Sequence, residues 1–319
     1  MRKWMLLALV PLFFISCGGS DDDATDSGDD TNNTGSTNSS WITDDGSTAN
    51  DNANSTTTNT EYGRTEVPRL SSTDARVLTY STDTYGVNYM VEWDDAKKAQ
   101  RWSCYVLSQT TLQQNTSRYT PADGESQYLF DTRLPDSAYF SSDPYYGNGQ
   151  RYEHGHICPS ADRLYSAEAN KQTFYLTNMQ PQFASFNSGV WLVMENAVRN
   201  LAERNSYTWC DSLFVVKGGT IDDGQWGGYN KVYQTLSNGL VVPRYFFVAL
   251  LAKKGNSYNA IGLWFSQVGG NNSDTALAKY AVSIDALEER TGIDFFCNLP
   301  DALEQTVESI CQPSQWNFK

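Results

Sequence analysis

The chain of 319 residues holds two histidines, and they stand one glycine apart, His154 and His156 around Gly155. The stretch 152–163 reads Y-E-H-G-H-I-C-P-S-A-D-R. Imidazole titrates nearest neutrality and is the usual general base. A glycine beside it lets the backbone turn sharply or approach a ligand closely. Further on, residues 186–199 read F-N-S-G-V-W-L-V-M-E-N-A-V-R. On a helix, Asn187, Trp191, Glu195 and Arg199 each fall roughly 40° beyond the last, while Val190, Val193, Met194, Ala197, Val198 and Leu201 form an apolar stripe. One flank then presents an amide, a carboxylate and a guanidinium together, groups suited to a hard cation and a phosphate. Taken singly, the two stretches also fit a pair of surface loop histidines and an amphipathic helix with an i,i+4 Glu–Arg pair. A thiol hydrolase built on Cys158 would want its cysteine and base far apart in sequence, so Cys158 reads better as a small packing residue. A zinc hydrolase using His154 and His156 falls short of three protein ligands and lacks an H-E-x-x-H helix.

Taken together, the two stretches resemble the DNA/RNA non-specific endonucleases, the ββα-metal (His-metal finger) nucleases related to endonuclease G. That family's signature is D-R-G-H followed by a short apolar–Pro–small–Asp run. Gly155, His156, Pro159, Ala161 and Asp162 match it, while Glu153 replaces the Asp and His154 replaces the Arg. The family's second element is matched by Asn178, Pro181 and Gln182, and then by Asn187, Gly189, Trp191, Glu195 and Arg199. There Phe186 and Met194 replace leucines. Further likeness at 215–220 (V-V-K-G-G-T), 242–247 and 282–296 extends the resemblance over about residues 77–303. It implies an α+β fold, an antiparallel sheet core with a ββα-metal finger active site. It also implies Mg²⁺-dependent hydrolysis of DNA and RNA without strong sequence specificity, leaving 5′-phosphate ends, with Mn²⁺ as a substitute metal. On this reading His156 is the general base. Asn187 and Glu195 serve the metal, Glu195 by a ligand position or through water. Arg199 faces phosphate, Asn178 orients the site, and His154 takes the place of a substrate-binding arginine. The alternative is a catalytically weak or inactive surface lipoprotein that binds nucleic acid or glycan.

The elements that must position these groups lie in the aromatic, β-branched body of the chain. Strands are expected at 102–107, 174–177, 213–220, 245–251 and 260–265, and helices at 187–203 and 283–290. Asp285 with Glu288 resembles a capping pair, and Gly292 would end that helix. Segregated strands and helices point to α+β with antiparallel sheets. Ahead of the body, residues 1–17 read as a lipoprotein signal peptide: a charged start, an apolar run too short to span a bilayer, and a cleavage box ending at a lipidated Cys17. Residues 18–63, rich in Asp, Ser, Thr and Asn, read as a disordered acidic tether, leaving 64–319 as one nuclease domain. The chain is thus expected at a bacterial cell envelope, lipid-anchored at the outer membrane or cell surface and not spanning it. Residues 1–63 carry −8 of the net charge of −14. The mildly acidic body has no basic run, which excludes tight packaging of DNA but leaves room for a local groove of arginines around a metal. Of the cysteines beyond Cys17, Cys297 and Cys311 flank a short helical run and are the expected disulfide of an exported protein.

Overall fold

An apolar run unbroken by polar residues, 245–252, calls for a strand buried on both faces. The computed structural model, which describes residues 40–269 and 276–318, places it near the middle of an antiparallel sheet. In chain order the strands used below are β1 (Ile42–Thr43), β2 (Arg76–Thr82), β3 (Gly86–Asp94), β4 (Ala99–Leu107) and β5 (Glu153–His156). They continue with β6 (Met179–Gln182), β7 (Ser212–Gly219), β8 (Tyr245–Lys254), β9 (Ser257–Ser266) and β10 (Ala281–Val282). The main sheet has eight strands in the order β1-β9-β8-β7-β4-β3-β2, with β10 also on β9. The helices are α1 (Leu192–Tyr207), α2 (Ile284–Thr291) and α3 (Asp301–Glu308). Side chains alternate along β8: Phe246, Val248, Leu250 and Ala252 join one core, and Phe247, Ala249 and Leu251 the other. The first core is roofed by α1 through Met194, Val198 and Leu201, the second by α2 and α3 through Ile284, Leu287, Leu303 and Val307. Among the described residues no helix is long and apolar enough to cross a membrane.

This is the expected α+β architecture with an antiparallel core. Four of the five expected strands form within a few residues of their bounds; residues 174–177 do not. Phe174 is buried in a loop, and Leu176–Asn178 makes a 3-10 turn that leads into β6. Helix α2 is capped by Ser283, whose side chain accepts from Ala286 N, and Gly292 ends it in the left-handed region at φ 74. Asp285 and Glu288 are therefore not its cap; the Glu288 carboxylate accepts from Phe295 N instead (2.7 Å).

Residues 40–63 are not a free tether. Ser40 is buried and accepts from Asn259 (2.6 Å), Trp41 meets Trp209 edge-on at 5.5 Å, and β1 pairs with Tyr258 and Ser257. Asparagines then stitch the segment to the chain's far end: Asn50 donates to Cys297 O, Asn52 to Asp294 and Glu304, and Asn54 N to Asn298. A polar composition predicts disorder when burial of apolar surface is the only source of order. Here amide side chains act as main-chain partners, and one tryptophan supplies the anchor. The signal peptide, Cys17 and the tether up to residue 39 lie outside the described residues.

The expected Cys297–Cys311 disulfide does not form. Cys297 is a buried free thiol beside Val67 O and Asn54, while Cys311 packs against the core on the other face of the sheet. A disulfide tolerates a Cα separation of only about 7 Å, which two residues on opposite faces do not meet.

Candidate active site

Strands β5 and β6 form a two-stranded antiparallel arm in the register Glu153↔Gln182, His154↔Pro181, Gly155↔Gln180 and His156↔Met179. Glycine is required in its middle, because a Cβ on Gly155 would lie 2.3 Å from the side chain of Gln182, itself fully buried. The chain then makes a wide turn, Asn187–Trp191, in which Gly189 leaves helical backbone (φ −97, ψ −120), before α1 begins. That break invalidates a single wheel across 187–199: Trp191, expected along the polar flank, is fully buried. Beyond it α1 runs regularly until Arg204. Arm and helix are tied by one group. The Trp191 indole N–H donates to the His156 main-chain carbonyl (3.3 Å), and Glu195 lies one turn further along the helix that Trp191 leads into. The strand that carries His156 is thereby tied to the start of the helix that carries Glu195.

His156 is partly buried, its ring edge-on to Phe174 at 5.1 Å, and its Nε2 is buried with no partner. Burial first, then the Arg118 guanidinium, lowers its pKa to about 3, against a raising hydrogen bond to the His154 main chain. The ring is therefore neutral, with a free acceptor nitrogen. Glu195 moves the other way, raised to about 7 by burial, with Lys217 and Arg199 opposing and Asp162 adding to the rise. It makes no ion pair among the described residues, and the Asn187 side chain makes no hydrogen bond among them. Among the described residues Asn187 and Glu195 are oxygen donors without an ion pair, of the kind a hard divalent cation prefers while keeping much of its water. Arg199 is fixed by Asp162 (Nε to Oδ1, 2.8 Å) and Asn196 (Nη1, 2.9 Å), which leaves Nη2 without a hydrogen-bond partner among the described residues.

Two expected site residues are placed elsewhere. Asn178 is fully buried and spends its amide on the scaffold: Oδ1 accepts from Cys158 N (2.9 Å), and Nδ2 donates to Cys158 O and Thr173 O. It pins the turn after His156 and orients the site without facing it. His154, expected to meet substrate, is stacked between Tyr128 (3.7 Å) and Tyr145 (4.0 Å), with Nε2 on Asp143 (3.0 Å). Strand alternation puts it on the same side of the arm as His156, but the two tyrosine rings enclose it, and burial lowers its pKa more than Asp143 raises it, so it is a neutral packed ring. The structure adds three groups that the motif reading passed over. Asp162 holds Arg199 and accepts from Tyr105 OH (3.1 Å). Arg118 is exposed over the Phe174 ring (4.8 Å) beside His156. Lys217 is fully buried without a hydrogen-bond partner, between the Tyr105 and Trp191 rings, where it acts on Glu195 and Asp162. Asp162 and Lys217 lie inside the quoted motifs, but only the fold brings them under α1; Arg118 carries no sequence signal.

A family model described as DNA/RNA non-specific endonuclease matches residues 71–302. Nuclease EXOG, mitochondrial, of Homo sapiens is 26% identical over 248 residues, covering 76% of this chain and 61% of its own length. A nuclease of Nostoc sp. is 27% identical over 230 residues, covering 69% of this chain and 75% of its own. The chain thus spans about three fifths of the length of the mitochondrial EXOG relatives it matches. A solved structure described as "Crystal structure of the EndoG/EndoGI complex: Mechanism of EndoG inhibition" superposes with a TM-score of 0.57 at 19% identity, covering 69% of this chain and 86% of that one. That likeness shows the fold.

Proposed function

This chain belongs to the DNA/RNA non-specific endonuclease family, and from that premise we propose that it is a divalent-cation-dependent nuclease. It hydrolyses DNA and RNA without strong sequence preference, uses His156 as general base with Mg²⁺ as the metal, and leaves 5′-phosphate ends. The observation that carries the reading is the Trp191 N–H bound to the His156 carbonyl at the start of the helix that carries Glu195 and Arg199, beside an imidazole whose Nε2 has no partner among the described residues. His156 Nε2 accepts a proton from the attacking water, and the edge-on contact with Phe174 packs the ring. Asn187 and Glu195 would hold the cation, which when bound supplies Lewis acidity at the phosphate and steadies the leaving oxygen. Arg199, held in place by Asp162, offers Nη2 to a phosphate oxygen. With His154 packed away, Arg118 is the fixed cation on the histidine side and takes the role that the motif arginine would have filled. The test is degradation of plasmid and RNA by the chain with Mg²⁺ and with EDTA. His156→Ala should lose at least about a hundredfold in rate, and full activity in that variant would discard the assignment. A catalytically inactive nucleic-acid or glycan binder would instead retain binding and show no cutting in any metal.

We further propose that the chain is exported and anchored through a lipid on Cys17, at the bacterial outer membrane or cell surface. The support is the charged start, short apolar run and cleavage box of residues 1–17. Mass spectrometry of the mature N-terminus tests it; an unmodified terminus elsewhere would refute it.

A further inference from the structure

Away from the finger, the carboxylates of Asp285, Glu288 and Glu308 each bring an oxygen within 4.8 Å of the other two. Asp285 and Glu288 are three apart on α2 and share a face; Glu308 ends α3. Glu308 is 5% exposed, and its Oε1 is buried with no partner. It also sits at the end of its helix where main-chain carbonyls concentrate negative potential, the wrong end for a carboxylate. Glu304 and Asp294 lie alongside, both bound by the amide of Asn52 (3.0 and 3.2 Å), whose own Oδ1 is buried and unpartnered. Arg69 acts on Asp294 and donates to the carbonyls of Asn52 and Ala53. No ion pair reaches Glu288, Glu304 or Glu308 among the described residues.

We propose that Asp285, Glu288 and Glu308 form a second divalent-cation site, distinct from the finger, which takes Ca²⁺ and clamps α2 to α3. The donor set is all oxygen, with no imidazole or thiolate, which selects a hard cation. Ca²⁺ accepts many oxygens in irregular geometry, whereas Mg²⁺ demands a near-octahedral shell and gives up its water reluctantly. Without a cation the cluster must hold protons: burial and the neighbouring carboxylates push Glu308 up to about 11 and Glu288 to about 8. A cation replaces those protons and gives the orphaned Glu308 oxygen its partner. Through Asn52, Asp294 and Glu304 the site also reaches the N-terminal segment.

The test is calorimetric titration of Ca²⁺ into the EDTA-stripped full chain carrying Asn187→Ala, a change that weakens the finger's own metal binding. One site with Kd on the order of 10⁻⁴ M or tighter is expected. Asp285 is exposed, so Asp285→Asn should fold, weaken Ca²⁺ at least about tenfold and cut nucleic acid at the parent rate when made without the Asn187 change. Glu308→Gln should abolish binding. Absence of a Ca²⁺ heat in the Asn187→Ala chain, or unaltered affinity in both Asp285→Asn and Glu308→Gln, would overturn the site. Equal affinity for Mg²⁺ would overturn the choice of calcium. Because the readout is binding, a chain without nuclease activity would still report on this cluster.

Discussion

Burial moves the two acid–base groups beside Trp191 in opposite directions, and both shifts bear on how the rate follows pH. His156 is lowered to about 3, so it stays neutral, and able to accept a proton, across the working range. Glu195 is raised to about 7, so below that pH a proton occupies the carboxylate that a cation needs. The acid limb of the activity profile should therefore belong to metal binding. A tenfold rise in Mg²⁺ should move it toward lower pH; a limb unmoved by Mg²⁺ would return the titration to the imidazole. At His154 the tyrosine sandwich needs a flat neutral ring. His154→Phe should keep activity within about twofold, the scale of a change outside the reacting centre, whereas His154→Arg, which restores the family residue, should lower it at every pH through misfit in the stack. Steady-state rates of the two folded variants decide. His156, Asn187, Glu195 and Arg199 were legible because a motif fixes their spacing. The tyrosine stack on His154 and the cation stack of Arg118 on Phe174 were not, because they join loops whose contacts follow no period.

At the scale of elements, the finger is a fixed frame: one strand carries the proposed base His156, a second pairs with it, and the helix that follows carries Glu195. Its tightest joint is Gly155 against the buried Gln182 side chain. Gly155→Ala should cost about 1–3 kcal/mol by overpacking and lower activity more than stability alone explains, since the arm that carries His156 must shift. Chemical denaturation and turnover of the same preparation separate the two effects. Strands β4, β7, β8 and β9 could be read from sequence because both faces are buried, so apolar runs persist without alternation. Residues 174–177 have the same composition, yet Phe174 is buried as a loop residue under His156 and Arg118, and composition does not tell a strand from a buried loop. Lys217 shows the limit from the other side. The V-V-K-G-G-T run reads as strand, and the strand is there, but its pairing with Ser103 turns the ammonium inward beneath α1. Only the three-dimensional parity of the sheet reveals that it acts on Glu195.

For the molecule as a whole, the carboxylate cluster between α2 and α3 should dominate the response of stability to pH. Asp285 and Glu288 face it from α2, Glu304 and Glu308 from α3, Asp294 from the connection, and Asn52 and Arg69 from the N-terminal side. Burial raises Glu304 to about 7 and Glu288 to about 8, with Glu308 higher still. The folded state thus binds more protons than the unfolded one. The stabilisation is complete below about pH 4.5 and is lost progressively as pH rises through 7 to 8 for Glu304 and Glu288 and toward about 11 for Glu308. The thermal midpoint in EDTA should fall between pH 5 and 9, and Glu308→Gln should flatten that fall; an equal slope in the variant would deny the cluster its part. The N-terminal segment has a different consequence for anyone who trims this protein. A fragment cut at Arg64 would keep every residue of the finger. It would also strip the cover from the β9 edge at Ser257 and Tyr258 and bare Trp209. An open strand edge beside an uncovered indole is a template for other chains. Light scattering should show the apparent mass of that fragment climbing with concentration more steeply than that of a fragment begun at Ser40, and what looked like a harmless leader would prove to be the protein's guard against sticking to itself.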